Sequence, residues 1–208
     1  MKRCMISLFI ALVGLLVVLG PPLLATATDG KEGKGRDDGV DLRATLRGFQ
    51  EVPPVSTTAS GSFKGEISDD GLSIEYSLSY SGLEGVVRQA HIHFGQRHVN
   101  GGIVIFLCQT TVNPDPTGLA LTCPQSGTVT SVLTKANVAN NANAQGIESS
   151  ATGAGSTDAE FASIVQAIRA GVTYANVHSA NAGGVAAKFN SGEIRGQIKT
   201  HRDGHDRR

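Results

Sequence analysis

The segment Ala90-His91-Ile92-His93-Phe94-Gly95 carries two imidazoles one residue apart. On an extended chain successive side chains leave opposite faces, so His91 and His93 share one face and Ile92 and Phe94 the other. Tyr174-Ala175-Asn176-Val177-His178 has a similar alternation, with Asn176 and His178 on one face and Val177 on the other. If the two strands are neighbours, three imidazoles meet. Three neutral imidazoles suit copper or zinc and leave a coordination position open, as a catalytic site requires. Asn176 could then orient a ligating ring through a hydrogen bond from outside the ligand set. The same rings could instead hydrogen-bond to loops and hold two sheets in register, and the spacing alone leaves both readings open.

Other chemistries find little in the chain. It has no Gly-x-Ser-x-Gly elbow, no phosphate-cradling glycine loop opening a helix and no His-Glu-x-x-His helix. Glu51, Asp158 and Glu193 are scattered, and Glu193 reads as a solvated strand residue. These absences weigh against an enzyme. Eighteen Lys and Arg balance 18 Asp and Glu, and nothing in that balance points to nucleic acid as a partner.

The N-terminus reads as an export signal: basic Lys2 and Arg3, an apolar run from Met5 to Leu19, then Gly20-Pro21-Pro22 and Ala25-Thr26-Ala27, with cleavage expected after Ala27. The alternative is an uncleaved anchor, since Met5 to Ala25 approaches the roughly 20 residues that span a bilayer. With cleavage there is no stable membrane insertion, and the protein is secreted, periplasmic or on the cell surface. Cys4 leaves with the signal. Cys108 and Cys123 remain, and an oxidising compartment makes a disulfide between them the expected outcome.

Residues 28–41 are Gly, Lys, Arg, Asp and Glu with almost nothing to bury, the composition of a disordered linker. The folded domain is expected at 42–199, and 200–208 form a charged tail whose His201 and His205 are solvated. Within the domain, Leu42, Ala44 and Leu46 alternate with Arg43, Thr45 and Arg47. Leu72, Ile74, Tyr76, Leu78 and Tyr80 alternate with Ser73, Glu75, Ser77 and Ser79. Further strands are expected at 59–67, 86–94, 103–107 (buried on both faces), 127–133, 172–178 and 192–198. The stretches between the two cysteines and from Asn137 to Gly155 read as loops. One helix is signalled by Thr157 with Glu160 three residues on, an apolar stripe of Phe161, Ile164, Val165 and Ile168, and Gly171 as its stop. Short strands with a single helix predict an all-β fold: an antiparallel Greek-key β-sandwich, with the helix covering one open end.

Read in order, Leu46-x-Gly48-x-Gln50-Glu51-Val52-Pro53-Pro54-Val55, Ala90-His91-Ile92-His93-x-Gly95, Asn100-Gly101, Tyr174-x-Asn176-Val177-His178 and Gly192-Glu193-Ile194-Arg195-Gly196-Gln197-Ile198 resemble the CHRD family. That domain was first described as a repeat in chordin and is common as a single unit in exported bacterial proteins. The resemblance covers about 42–199 and implies fold and location more than activity: an extracytoplasmic, non-catalytic module binding an extracellular protein or matrix ligand. A fainter similarity joins His91, His93 and His178 to the copper ligands of copper/zinc superoxide dismutases, which are also Greek-key sandwiches. It makes Arg195 a loose candidate for a guiding arginine and His98 a candidate bridging ligand. No further cluster of two histidines and an aspartate follows to hold zinc, so the dismutase-like arrangement is incomplete.

Overall fold

The computed structural model describes residues 39–139, 146–147, 157–180, 189 and 192–201. These belong to a unit that begins at Asp37. The expected signal, most of the linker, nearly all of the loop from 140 to 155 and the tail beyond His201 lie outside the described residues.

Among the described residues, ten strands and one α-helix make up the fold: β1 Val40–Arg47, β2 Ser60–Ile67, β3 Ile74–Ser81, β4 Val86–Phe94, β5 Gly102–Gln109, β6 Leu121–Thr122, β7 Gly127–Leu133, α1 Asp158–Arg169, β8 Thr173–Ala180, β9 Ile194–Gln197 and β10 Lys199–His201. The all-β class with a single short helix is as expected. Strand pairing, however, forms one continuous path, β6-β5-β4-β8-β9-β1-β2-β3-β7, with β10 beside β1. The chain from Ile194 to His201 joins its two parts. β9 pairs with β8 along its length and touches β1 only at Arg47–Arg195, whereas β10 pairs with β1. The change of partner falls at Ile198, whose amide donates to the Thr173 carbonyl at 3.0 Å. A strand that passes between partners in this way turns the corner of a sheet.

The core lies where the periodicity places it. Leu42, Ala44 and Leu46 of β1 are buried, as are Phe63 and Ile67 of β2 and Ile74, Tyr76, Leu78 and Tyr80 of β3. Leu72 differs: it is 54% exposed, because the turn closed by the Ser68 amide on the Ser73 carbonyl takes it out of the ladder. The two ends of the path meet across the core, where the Tyr76 hydroxyl donates to the Leu107 carbonyl on β5 and the Tyr80 hydroxyl to the Pro124 carbonyl at 2.5 Å. Buried hydroxyls that find carbonyls in this way avoid the cost of an unmet polar group.

Cys108 and Cys123 form a disulfide. It lies beside β6, a two-residue strand parallel to β5 within the stretch expected to be loop. The helix follows its signals. Thr157 and Glu160 form a reciprocal capping box, Phe161, Ile164, Val165 and Ile168 are buried, and Gly171 takes φ +70° just past the end. No helix among the described residues is long and apolar enough to cross a membrane.

Candidate functional site

β4 and β8 are antiparallel neighbours, and their register decides what the histidines meet. His91 lies opposite Asn176, His93 opposite Tyr174 and Gln89 opposite His178. On the far side of β8, Asn176 faces Arg195 and Tyr174 faces Gln197. One face of this three-stranded patch therefore carries Ile92, Ala175, Ala90, Val177 and Ile194, all in the apolar core. The other face carries three histidines, an asparagine, a tyrosine and an arginine.

That second face is polar in composition yet buried, because irregular segments lie over it. Gly48–Gln50 forms a 3-10 turn leading into Glu51, and the Asn100 side-chain amide ties the two covering segments together by donating to the Val52 carbonyl at 2.8 Å. Arg195 is 2% exposed. Its guanidinium stacks 3.4 Å over the Tyr174 ring and donates to the Gln96 carbonyl at 2.9 Å. His93 stacks on Tyr174 as well, with centroids 4.7 Å apart and planes within 2°.

The three imidazoles meet. Centroid separations are 5.3 Å for His91–His93, 5.0 Å for His91–His178 and 6.1 Å for His93–His178, and one nitrogen from each ring lies within 4.8 Å of the others. An ion equidistant from three nitrogens at that outer limit would lie about 2.8 Å from each, so a closure of about 0.7 Å per ring reaches the roughly 2.0–2.1 Å of a zinc–imidazole bond. His98 stays apart from this cluster. It is exposed in the loop after β4 with φ +65°.

Hydrogen bonding divides the rings. His93 places Nδ1 3.0 Å from the Gly101 carbonyl and Nε2 3.1 Å from Asn176 Oδ1. Both nitrogens of His91 and Nε2 of His178 are buried with no hydrogen-bond partner, although buried polar atoms are ordinarily paired. Burial is the main influence on their protonation, since it disfavours the cationic form. It holds His91 well below the usual histidine range, with His178 and His93 adding to the effect. His93 is pushed down to about 4, chiefly by burial and against the Gly101 carbonyl and the Asn176 side chain, which favour its cation, and His178 to about 3, by burial and then by His93. At neutral pH all three are uncharged, the form that binds metal.

Two acidic residues belong to this region. Glu51 is buried, and burial raises its carboxyl to about 8 against the opposing pull of Arg195, the Asn176 side chain and the Val52 amide. Its Oε1 lies 3.5 Å from Asn176 Nδ2 and its Oε2 has no partner. Glu193, read from the sequence as a solvated strand residue, is instead completely buried. It accepts from the Thr57 hydroxyl at 2.7 Å, the Glu84 amide at 2.9 Å and the Ser179 hydroxyl. The expectation failed because residue 193 precedes β9 and points under the segment around Thr57. Arg195 also departs from the role that the dismutase similarity suggested, since a cation held by Tyr174, Gln96 and Asn100 is in no position to meet ligands arriving from solvent. The one sequence signal for Glu51 was its place before Val52-Pro53-Pro54, where proline ends the ladder and lets the chain fold back over the sheet.

The motifs that build this site lie within one recognisable unit. No curated protein matches the chain. The family model for the CHRD domain matches residues 42–198, from the core of β1 to the break after β9, and the chain belongs to the CHRD domain family.

Proposed function

We propose that this is an exported CHRD protein, a non-catalytic module that acts outside the cytoplasm on an extracellular protein or matrix ligand and holds zinc or copper through His91, His93 and His178. The observation that carries the metal is the convergence of three neutral rings in which three nitrogens are buried and unpartnered. His93 meets the Gly101 carbonyl, but rings placed only to hydrogen-bond loops would not leave both nitrogens of His91 and Nε2 of His178 without a partner. Export is supported by the three-part N-terminus, the family and the Cys108–Cys123 disulfide, which suits an oxidising compartment. In this reading the signal ends at Ala27 and a linker leads to the domain, whose expected bounds of 42–199 widen to 40–201 because Val40 and Asp41 pair within β1 and Thr200 and His201 within β10.

Elemental analysis of the exported protein, purified without chelator or affinity histidines, tests the metal. About one zinc or copper per chain is expected in the wild type and none in the triple variant H91A/H93A/H178A. A wild type that stays empty after incubation with either ion sinks the reading.

A further inference from the structure

Asn176 was expected to orient a ligand from outside the coordination sphere, but its geometry does more. A ligating imidazole carries one N–H. The Gly101 carbonyl is a backbone acceptor that cannot be reversed, so the N–H of His93 belongs on Nδ1, 3.0 Å away. His93 Nε2 then presents a lone pair, and 3.1 Å from it stands Asn176 Oδ1, another lone-pair atom. No proton lies between them. Ligands on a single tetrahedral ion with bonds of about 2.0–2.1 Å are separated by about 3.3–3.4 Å, so the pair already has nearly the spacing of two donors to one cation. Asn176 sits opposite His91 and two residues before His178 on the same face, at the centre of the group.

We propose that the side-chain oxygen of Asn176 is the fourth protein ligand, closing the site with His91, His93 and His178 around a divalent ion. The inference rests on the metal reading above. Two neighbours set the amide the right way round. Glu51 Oε1 faces Asn176 Nδ2, drawing the nitrogen away from the rings. Gly192 makes room for that contact: at φ +120°, a Cβ there would sit 2.3 Å from Asn176 Nδ2 and 2.5 Å from Glu51 Oε1.

Four protein ligands leave no position for water or substrate, which is the arrangement of a structural ion and not of a catalytic one. An amide oxygen among three imidazoles also favours a divalent ion of zinc type over soft Cu(I).

Cobalt(II) reconstitution with an azide titration followed by visible absorption tests the closed site. Wild-type cobalt protein should leave its spectrum unchanged on adding azide. N176A should still take one cobalt, bind it roughly 10-fold or more weakly, and change its spectrum with azide. N176D restores an oxygen ligand and should be azide-insensitive again, which keeps the test decisive if N176A folds poorly. An azide response in the wild type equal to that of N176A overturns the inference and leaves the three-histidine site standing, as does an N176D protein that behaves like N176A. A wild type that takes up no cobalt overturns both.

Discussion

Burying three neutral imidazoles beside a protonated carboxyl makes the stability of the metal-free protein depend on pH with a calculable slope. Each histidine has a folded pKa far below its unfolded value of 6.5. Below about pH 6.5 the unfolded chain therefore binds protons that the folded one refuses, and stability falls with pH until the folded values near 4 and 3 are reached. Glu51 has the opposite sign. Raised from 4.5 to about 8, its carboxyl is protonated when folded and ionised when unfolded, so its contribution is complete below 4.5 and is lost as pH rises to about 8. Near pH 5.5 the histidines take up about 2.7 protons on unfolding and Glu51 releases about 0.9. The net uptake of about two protons is worth roughly 2–3 kcal/mol per pH unit. Two or three units of acidification therefore remove roughly 5–7 kcal/mol, which is enough to unfold a protein whose stability lies in the lower part of the typical range of about 5–15 kcal/mol. Urea unfolding of the chelated protein between pH 4.5 and 7.5 measures this. In E51Q the opposing proton is gone and the slope should steepen to roughly 4 kcal/mol per unit, while the three-histidine substitution leaves only Glu51 and should reverse the sign of the slope. A wild-type stability that is level from pH 5 to 6.5, or an E51Q slope no steeper than the wild type, would refute the burial argument.

Four further outcomes follow from single contacts. G192A forces a Cβ into Asn176 and Glu51 at a backbone conformation that L-residues rarely adopt. It should cost about 1–3 kcal/mol in denaturant unfolding and lower metal retention on dialysis. E193A strips the acceptor from the Thr57 and Ser179 hydroxyls and the Glu84 amide. At about 1–3 kcal/mol for each buried donor left unmet, it should lower the thermal midpoint more than any exposed Glu→Ala change. Replacing Cys108 and Cys123 with serine removes a cross-link of 15 residues' separation, for a loss of about 3 kcal/mol that a reductant should reproduce in the wild type. T157A deletes the helix cap, where the hydroxyl accepts from the Glu160 amide at 3.2 Å, and should cost about 1 kcal/mol by chemical denaturation.

Much of the fold could be read in advance because alternation is a local property. Strand β3, the capping box of α1 and the shared face of His91 and His93 each follow from residues a few positions apart. Errors arose where a face was assigned an environment. Glu193 reads as a solvated strand residue and is buried, since alternation says which side chains share a face and nothing about what lies over it. Here the cover comes from the turn at Gly48–Gln50 with Glu51 and from the loop of Gln96–Asn100, segments without periodicity whose position depends on hydrogen bonds such as Asn100 to Val52. Leu72 failed for a related reason, because a turn hydrogen bond removed it from a strand its hydrophobicity fitted.

By itself, then, the amino-acid order determined the family, the all-β class, the helix, the cysteine pair and which two strands carry the imidazoles. The tertiary structure alone decided that those strands are adjacent, that His178 falls beside His91 while His98 is exposed, and that Glu51 lies behind Asn176. The physical reason is that pairing β4 with β8 joins segments some 80 residues apart. Its register is chosen by the apolar side of the sheet, where Ala90, Ile92, Ala175 and Val177 must meet the core, and the polar side is carried into place as a consequence.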